Sequence, residues 1–230
     1  MIKAVYFDLF FTLINPEYLD ASEYSILGIT AHEWELYAED EVLYKERATT
    51  RSLSAKEIID KIIQIMPYDI SDEQKRKIQY CREERMKKAL LSVDTQILET
   101  IRELHKQGIM LGVISNADII DIKFWDKSPL AQYFDAAIFS CNVGVLKPEA
   151  EIYSLAMLKL NALAEESLFV GDGGSDELHG AKKAGMKTVF TDYLVQKSEN
   201  EREQILADTD YHINKFEKIL DIISSIKGTL

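Results

Sequence analysis

The chain has 230 residues, 47% of them hydrophobic and 29% charged, and a formal net charge of -12. That is the composition of a globular protein with enough apolar side chains for a core, sized for one large domain or a medium and a small one. The negative charge repels nucleic acid and anionic membranes, so neither is expected as a partner, and an anionic small molecule binds only where a metal or local cations reverse the field.

Ala4 to Phe7 is an uninterrupted apolar run, as expected of a strand covered on both faces in a parallel sheet. It ends at Asp8, and Phe10 to Pro16 is expected to turn away from the sheet. From about Asp20 to Ala89 the pattern is helical. Thr30-Ala31-His32-Glu33 and Ser54-Ala55-Lys56-Glu57 have the capping-box form, and Ser71-Asp72-Glu73-Gln74 its glutamine variant. Behind the second box, Ile58, Ile59, Ile62, Ile63 and Met66 fall on one helical face. The Lys- and Glu-rich run from Asp72 to Lys88 is read as a solvated helix. The block is expected to hold three or four helices.

Beyond Asp94, helices and strands alternate. Ile97, Leu98, Ile101 and Leu104 mark a helix stopped by Gly108, and Ile109 to Ile114 is a buried strand ending at Ser115-Asn116. Ala136 to Phe139 is the next strand, and a helix is expected from Pro148, a residue suited to a first turn. Leu168 to Val170 is a strand that runs into Gly171-Asp172-Gly173-Gly174-Ser175-Asp176. The helix after it ends near Gly185, Thr188 to Phe190 is a further strand, and a last helix covers roughly Asn214 to Ile226. Such alternation predicts an α/β fold: a Rossmann-like, doubly wound parallel sheet. The helical block interrupts it as an inserted all-helical cap domain, with residues 1–15 and 90–230 as core and 16–89 as cap.

In open sheets of this kind, ligands bind at the carboxyl ends of the strands, at the switch point in strand order. That rim is expected to receive Asp8, Ser115 with Asn116, Lys147, and Asp172 with Asp176. The segment Asp8-Leu9-Phe10-Phe11-Thr12-Leu13 after a strand resembles the first motif of the haloacid dehalogenase-like superfamily. Ile114-Ser115-Asn116 resembles its second motif, Lys147-Pro148 its third, and Gly171 to Asp176 its fourth. The resemblance implies a hydrolase with Asp8 as nucleophile, most simply a phosphatase forming an aspartyl phosphate. It implies Mg²⁺ held by Asp8, the Phe10 carbonyl and Asp172, with Asp176 in support. Ser115 and Lys147 would stabilise the transferring group, and Thr12 and Asn116 would orient the nucleophile's loop and contact substrate. The implied partner is a small anionic molecule, the implied assembly a monomer or homodimer.

Two positions depart from the pattern. Phosphatases of the superfamily usually carry a second Asp two residues after the nucleophile as general acid and base; here that position is Phe10. Phe11 replaces the motif's usual glycine. An aromatic residue two positions after the nucleophile is similar to the 2-haloacid dehalogenase branch, in which the carboxylate attacks carbon and no metal is needed. A catalytically idle binding protein on the same scaffold is the third reading. In the cap, His32, Trp34, Tyr37, Lys45, Arg47 and Arg51 are candidates to face the substrate, while His105 and His179 are expected to be ordinary helix residues. Cys81 and Cys141 form no CxxC pair, as in a reducing compartment. With no signal-peptide pattern and no run of ~20 apolar residues, the expected location is the cytoplasm.

Overall fold

The computed structural model describes residues 1–227. Six strands pair in parallel in the order β3-β2-β1-β4-β5-β6. They are β1 (Ala4–Phe7), β2 (Met110–Ser115), β3 (Ala136–Phe139), β4 (Ser167–Gly171), β5 (Lys187–Thr191) and β6 (Tyr211–Ile213). Alternate residues of β1 point to opposite faces, and both faces are apolar. Val5 and Phe7 join a core with Leu111, Val113, Leu168 and Val170. Ala4 and Tyr6 join another with Ile114, Phe169 and Phe190. Two dry faces explain why these strands read as continuous apolar runs.

Order reverses between β1 and β4, the neighbours on either side of the sheet's switch point. Phe7 pairs with Val170, so the residues that follow the two strands leave the same edge side by side.

Five helices fill the space between β1 and β2: α1 (Glu23–Leu27), α2 (Ala31–Ala38), α3 (Glu41–Thr49), α4 (Ala55–Gln64) and α5 (Asp72–Leu91). The three capping sites read from the sequence open α2, α4 and α5, with side-chain bonds to the third helical N–H in each. The helix beyond the expected number is α1. It is capped by Ser22, whose box partner is Ser25. A hydroxyl there replaces the Glu or Gln that signals a box in sequence. This block has its own apolar centre of Trp34, Leu43, Ile58, Ile62 and Ile78, into which Ile120 from the turn after β2 also packs. The long α5 is not solvated all round, since Ile78, Cys81, Arg82, Met86 and Leu90 are buried along one face.

The remaining helices flank the sheet: α6 (Thr95–Lys106), the single turn α7 (Ser140–Val143), α8 (Ala150–Leu160), α9 (Glu177–Lys183), α10 (Glu199–Ala207) and α11 (Lys218–Lys227). Pro148 lies two residues ahead of α8 rather than in its first turn, because Glu149 takes the cap position. The last helix starts at Lys218, later than its apolar spacing suggests, because Tyr211–Ile213 is drawn into the sheet as β6. Among the described residues, no helix is long and apolar enough to cross a membrane.

Candidate active site

Asp8 follows β1 directly, and its N–H donates to the Val170 carbonyl at 2.9 Å. The residue is 5% exposed. Thr12, four residues on, donates its hydroxyl to Asp8 Oδ2 at 3.2 Å, so one carboxylate oxygen is held by the loop that follows the strand. The other oxygen accepts from the Lys147 ammonium. That loop closes through Phe11 N–H to the Ile14 carbonyl at 2.7 Å, with Leu13 and Ile14 both donating to Leu9. Its geometry puts Phe11 at φ +60°, a conformation that costs a side-chain-bearing residue ~1–2 kcal/mol. The residue is nonetheless 40% exposed.

Lys147 is buried and donates to both Asp8 and Glu177. Burial opposes its charge, but the two carboxylates hold the ammonium above its ordinary value. Asn116 grips the Lys147 backbone on both sides: Oδ1 accepts from its N–H at 2.7 Å and Nδ2 donates to its carbonyl at 3.1 Å. Asn116 lines the cavity described below, but its amide is committed to holding Lys147.

The third expected carboxylate, Asp176, does not lie beside Asp8 and Asp172, and its neighbour Glu177 does. Asp176 is exposed, in the left-handed region at φ +49° next to Ser175 at φ +53°. These two residues complete the turn before α9, and the side chain that returns to the site is Glu177, 1% exposed. Glu177 Oε1 accepts from the Gly173 N–H at 3.2 Å while Oε2 accepts from Lys147. Gly171 makes the space: a Cβ there would lie 2.1 Å from Glu177 Oε1. Spacing along the chain favoured Asp176, whereas the handedness of the turn selects Glu177.

Asp8, Asp172 and Glu177 each offer an oxygen, and the three atoms lie within 4.8 Å of one another. Burial pushes the Asp8 carboxyl up, and the Asp172 charge adds to this against the attraction of Lys147. Burial and the nearby Asp8 charge hold Glu177 well above the usual carboxylate range, with Lys147 opposing. Lys197, from the loop after β5, bonds Asp172 Oδ2 at 2.5 Å. Three buried, hard oxygen donors with mutual repulsion fit a small divalent cation such as Mg²⁺. Nothing in the sequence marked Lys197, which reaches the site only through the return of the chain after β5.

Ser115, at the end of β2, is fully buried, and its hydroxyl has no hydrogen-bond partner. A buried donor left unpaired costs ~1–3 kcal/mol; Ser115 itself does not line the cavity described below.

Above this edge lies a cavity of about 610 Å³, floored by Asp8, Lys147, Asp172 and Glu177 and roofed by the helical block. Of the residues proposed from that block, Trp34 and Arg47 line it; His32, Tyr37, Lys45 and Arg51 do not. His105 packs on Tyr133 and His179 pairs with Asp208, both away from the cavity. A buried ion-pair cluster ties roof to core. Arg47 Nη1 and Arg82 Nη2 each meet Asp118 Oδ2 at 2.7 Å, and Arg82 also meets Asp121 at 2.9 Å. Burial works against the Asp118 charge, but Arg82 and Arg47 outweigh it and hold its carboxyl below the usual range.

The sheet order and this edge define a Rossmann-like α/β protein with a helical roof. Residues 5–191 match the haloacid dehalogenase-like hydrolase family, and the chain belongs to that family. A glyceraldehyde 3-phosphate phosphatase of Methanocaldococcus jannaschii is 31% identical over 145 residues, 62% of this chain and 61% of that one. Pyrophosphatase PpaX of Bacillus mycoides is 33% identical over 134 residues, 57% of this chain and 60% of that one. The chain therefore spans about three fifths of the length of these curated relatives. A 2-haloacid dehalogenase from Pseudomonas syringae superposes over 98% of this chain and 100% of its own, with TM-score 0.67 and 22% identity. A Bacteroides thetaiotaomicron enzyme of the same family, solved with magnesium and inorganic phosphate, covers 87% of this chain and 98% of its own, with TM-score 0.66 and 18% identity. These two likenesses are likenesses of fold.

Proposed function

We propose that this protein is a magnesium-dependent phosphatase of a small phosphorylated metabolite, working through an aspartyl phosphate on Asp8. The observation that carries the reading is the convergence of Asp8, Asp172 and Glu177 oxygens within 4.8 Å beside the Lys147 ammonium. Asp8, Asp172 and the Phe10 carbonyl would hold Mg²⁺, with Glu177 taking the supporting place expected of Asp176. Bound there, the ion supplies charge neutralisation between an anionic nucleophile and an anionic phosphoryl group.

The chain's own groups do the rest. Thr12 holds one Asp8 oxygen and Lys147 the other, and Asp8 lines the cavity. Asp8 attacks phosphorus, so that one difficult displacement becomes two easier ones. Lys147 is a fixed cation for the phosphoryl oxygens, and the unpartnered Ser115 hydroxyl donates to one of them. Asn116 acts at one remove, by holding the Lys147 backbone. Residues 16–89 act as a cap over the core of 1–15 and 90–230 and exclude water from the first step. The curated relatives named as phosphatases support phosphoryl rather than other chemistry.

The test is a panel of phosphate esters and acyl phosphates with magnesium or with EDTA. Turnover is expected only with magnesium, and Asp8→Asn should lower it by on the order of 10³-fold or more. Wild-type turnover by Asp8→Asn would overturn the assignment of the nucleophile.

Phe10 keeps a second reading in play, attack of Asp8 on a carbon bearing a halide. It predicts halide release from 2-chloropropionate in EDTA. Two further buried carboxylates beside the attacking one weigh against it, since with Lys147 and Lys197 already paired to the three, an anionic substrate is disfavoured unless a metal cation is present.

A further inference from the structure

The floor of the cavity is set by the phosphoryl chemistry; the walls say what the phosphoryl group is attached to. Phe10, Phe11, Tyr18, Trp34, Tyr44 and Met86 line it. Phe11 is the least expected of these, a partly exposed aromatic ring held in a left-handed conformation that glycine would adopt without strain. A strained position that presents an apolar ring to a binding cavity points to a ligand for that ring.

The charged groups on the same walls do not make a second anion site. Arg47 and Arg82 face Asp118, Asp121 and Glu39, and Arg85 bonds Glu23 at 3.0 Å and lies 4.5 Å from the Tyr18 ring. Acidic side chains around the cavity outnumber basic ones by seven to five. A substrate with a second phosphate or carboxylate would meet guanidinium groups already committed to carboxylates.

The position two residues beyond the nucleophile bears on the leaving group too. Phe10 has no proton to give, and burial, against the opposing charge of Arg85, holds the Tyr18 hydroxyl above its ordinary value. An alkoxide leaving unprotonated has a conjugate-acid pKa near that of water, about 15.7, whereas a phenolic oxygen has one near 10.

From the walls and the missing acid together, we infer that the substrate is a phosphate monoester of a planar, apolar leaving group whose oxygen departs without protonation, an aryl or enol-like phosphate. The inference rests on the phosphatase reading above. In the step, Asp8 Oδ bonds to phosphorus as the ester P–O bond breaks. The electron pair leaves on the aryl oxygen, which takes its proton from water afterwards. Water then bonds to phosphorus, the aspartyl P–O bond breaks, and the carboxylate, inorganic phosphate and a proton are released.

The experiment has two arms. With magnesium, kcat/KM is measured for nitrophenyl, phenyl and alkyl phosphates in the wild type and in Phe10→Asp. A steep fall with rising leaving-group pKa is expected for the wild type. A slope flattened in Phe10→Asp, with alkyl esters gaining at least tenfold, is the further support a restored acid would bring. In the second arm, phenylphosphonate and methylphosphonate are titrated into the protein with magnesium present and followed by calorimetry. Phenylphosphonate should bind at least tenfold tighter, and Phe11→Gly should reduce that preference severalfold. A merely structural Phe11 would leave the preference unchanged, because the glycine only relieves strain. A flat wild-type slope with turnover present, or equal affinity for the two phosphonates, overturns the inference alone. No turnover of any ester with magnesium removes the phosphatase reading and this inference with it.

Discussion

Glu177 occupies the space that a side chain on Gly171 would fill: a Cβ at that position lies 2.1 Å from Oε1 and 2.7 Å from Cδ. The last residue of β4 is thus a glycine for the sake of a carboxylate six positions later. Gly171→Ala should evict Glu177 from Lys147 and the Gly173 N–H. Metal-dependent turnover is expected to fall at least tenfold, with midpoint stability lowered in urea. An alanine variant with wild-type turnover would show that Glu177 has no part in the chemistry.

Adjacent acids in one turn have opposite surroundings, one exposed and one buried. Glu177→Gln should impair magnesium-dependent turnover by roughly 10²-fold, the scale for loss of a group that supports a metal site. Asp176→Asn should leave it within about twofold, in line with surface substitutions generally. Paired kinetics on the two variants check this, and equal losses would mean that the turn is remade when the site is loaded.

In cation-free buffer the three site carboxylates repel one another in a buried setting. Magnesium should therefore raise the thermal midpoint, by an amount that corresponds to ~2.7 kcal/mol at a hundred times its dissociation constant. Asp172→Asn should lose most of that rise. The measurement is a melting curve against magnesium concentration, and an unchanged midpoint in the wild type would count against a metal between these groups.

The Asp118 carboxyl is held below its usual range in the folded protein. A depressed acid contributes stability that is present above the unfolded value of about 3.9 and is lost as pH falls through the folded one. Removing one partner of a buried pair costs ~3–5 kcal/mol, so Asp118→Asn should be markedly less stable at pH 7. The gap between wild type and variant should narrow below pH of about 4. Denaturant unfolding of both proteins at pH 7 and at acid pH tests this, and a gap that widens on acidification contradicts it.

Much of the architecture is legible along the chain because it rests on local rules. Two-sided apolar runs are strands of a covered sheet, so β1, β2, β3, β4 and β5 stand out, and side-chain caps at Thr30, Ser54 and Ser71 open α2, α4 and α5. Asp8 and Asp172 are readable for the same reason, since each directly follows such a strand. Where an element is short or polar the local signal fades. β6 has three residues, and α10 follows a Ser198 capping box but lacks an apolar stripe, with no residue fully buried.

What the linear order settled was the class of fold, the placement of a helical insertion after the first strand, and the nucleophile candidate. All of these depend on residue type and short-range spacing. Tertiary structure alone decided which acid lies beside Asp8 and Asp172, because two left-handed residues in a turn send Asp176 outward and Glu177 in. It also decided that Lys197 reaches Asp172 and that Arg47 and Arg82 close on Asp118, contacts between segments that nothing in sequence spacing relates. Electrostatic partners of that kind are chosen by where the chain returns in space, and the energy that selects them is the cost of burying each charge without its counterpart.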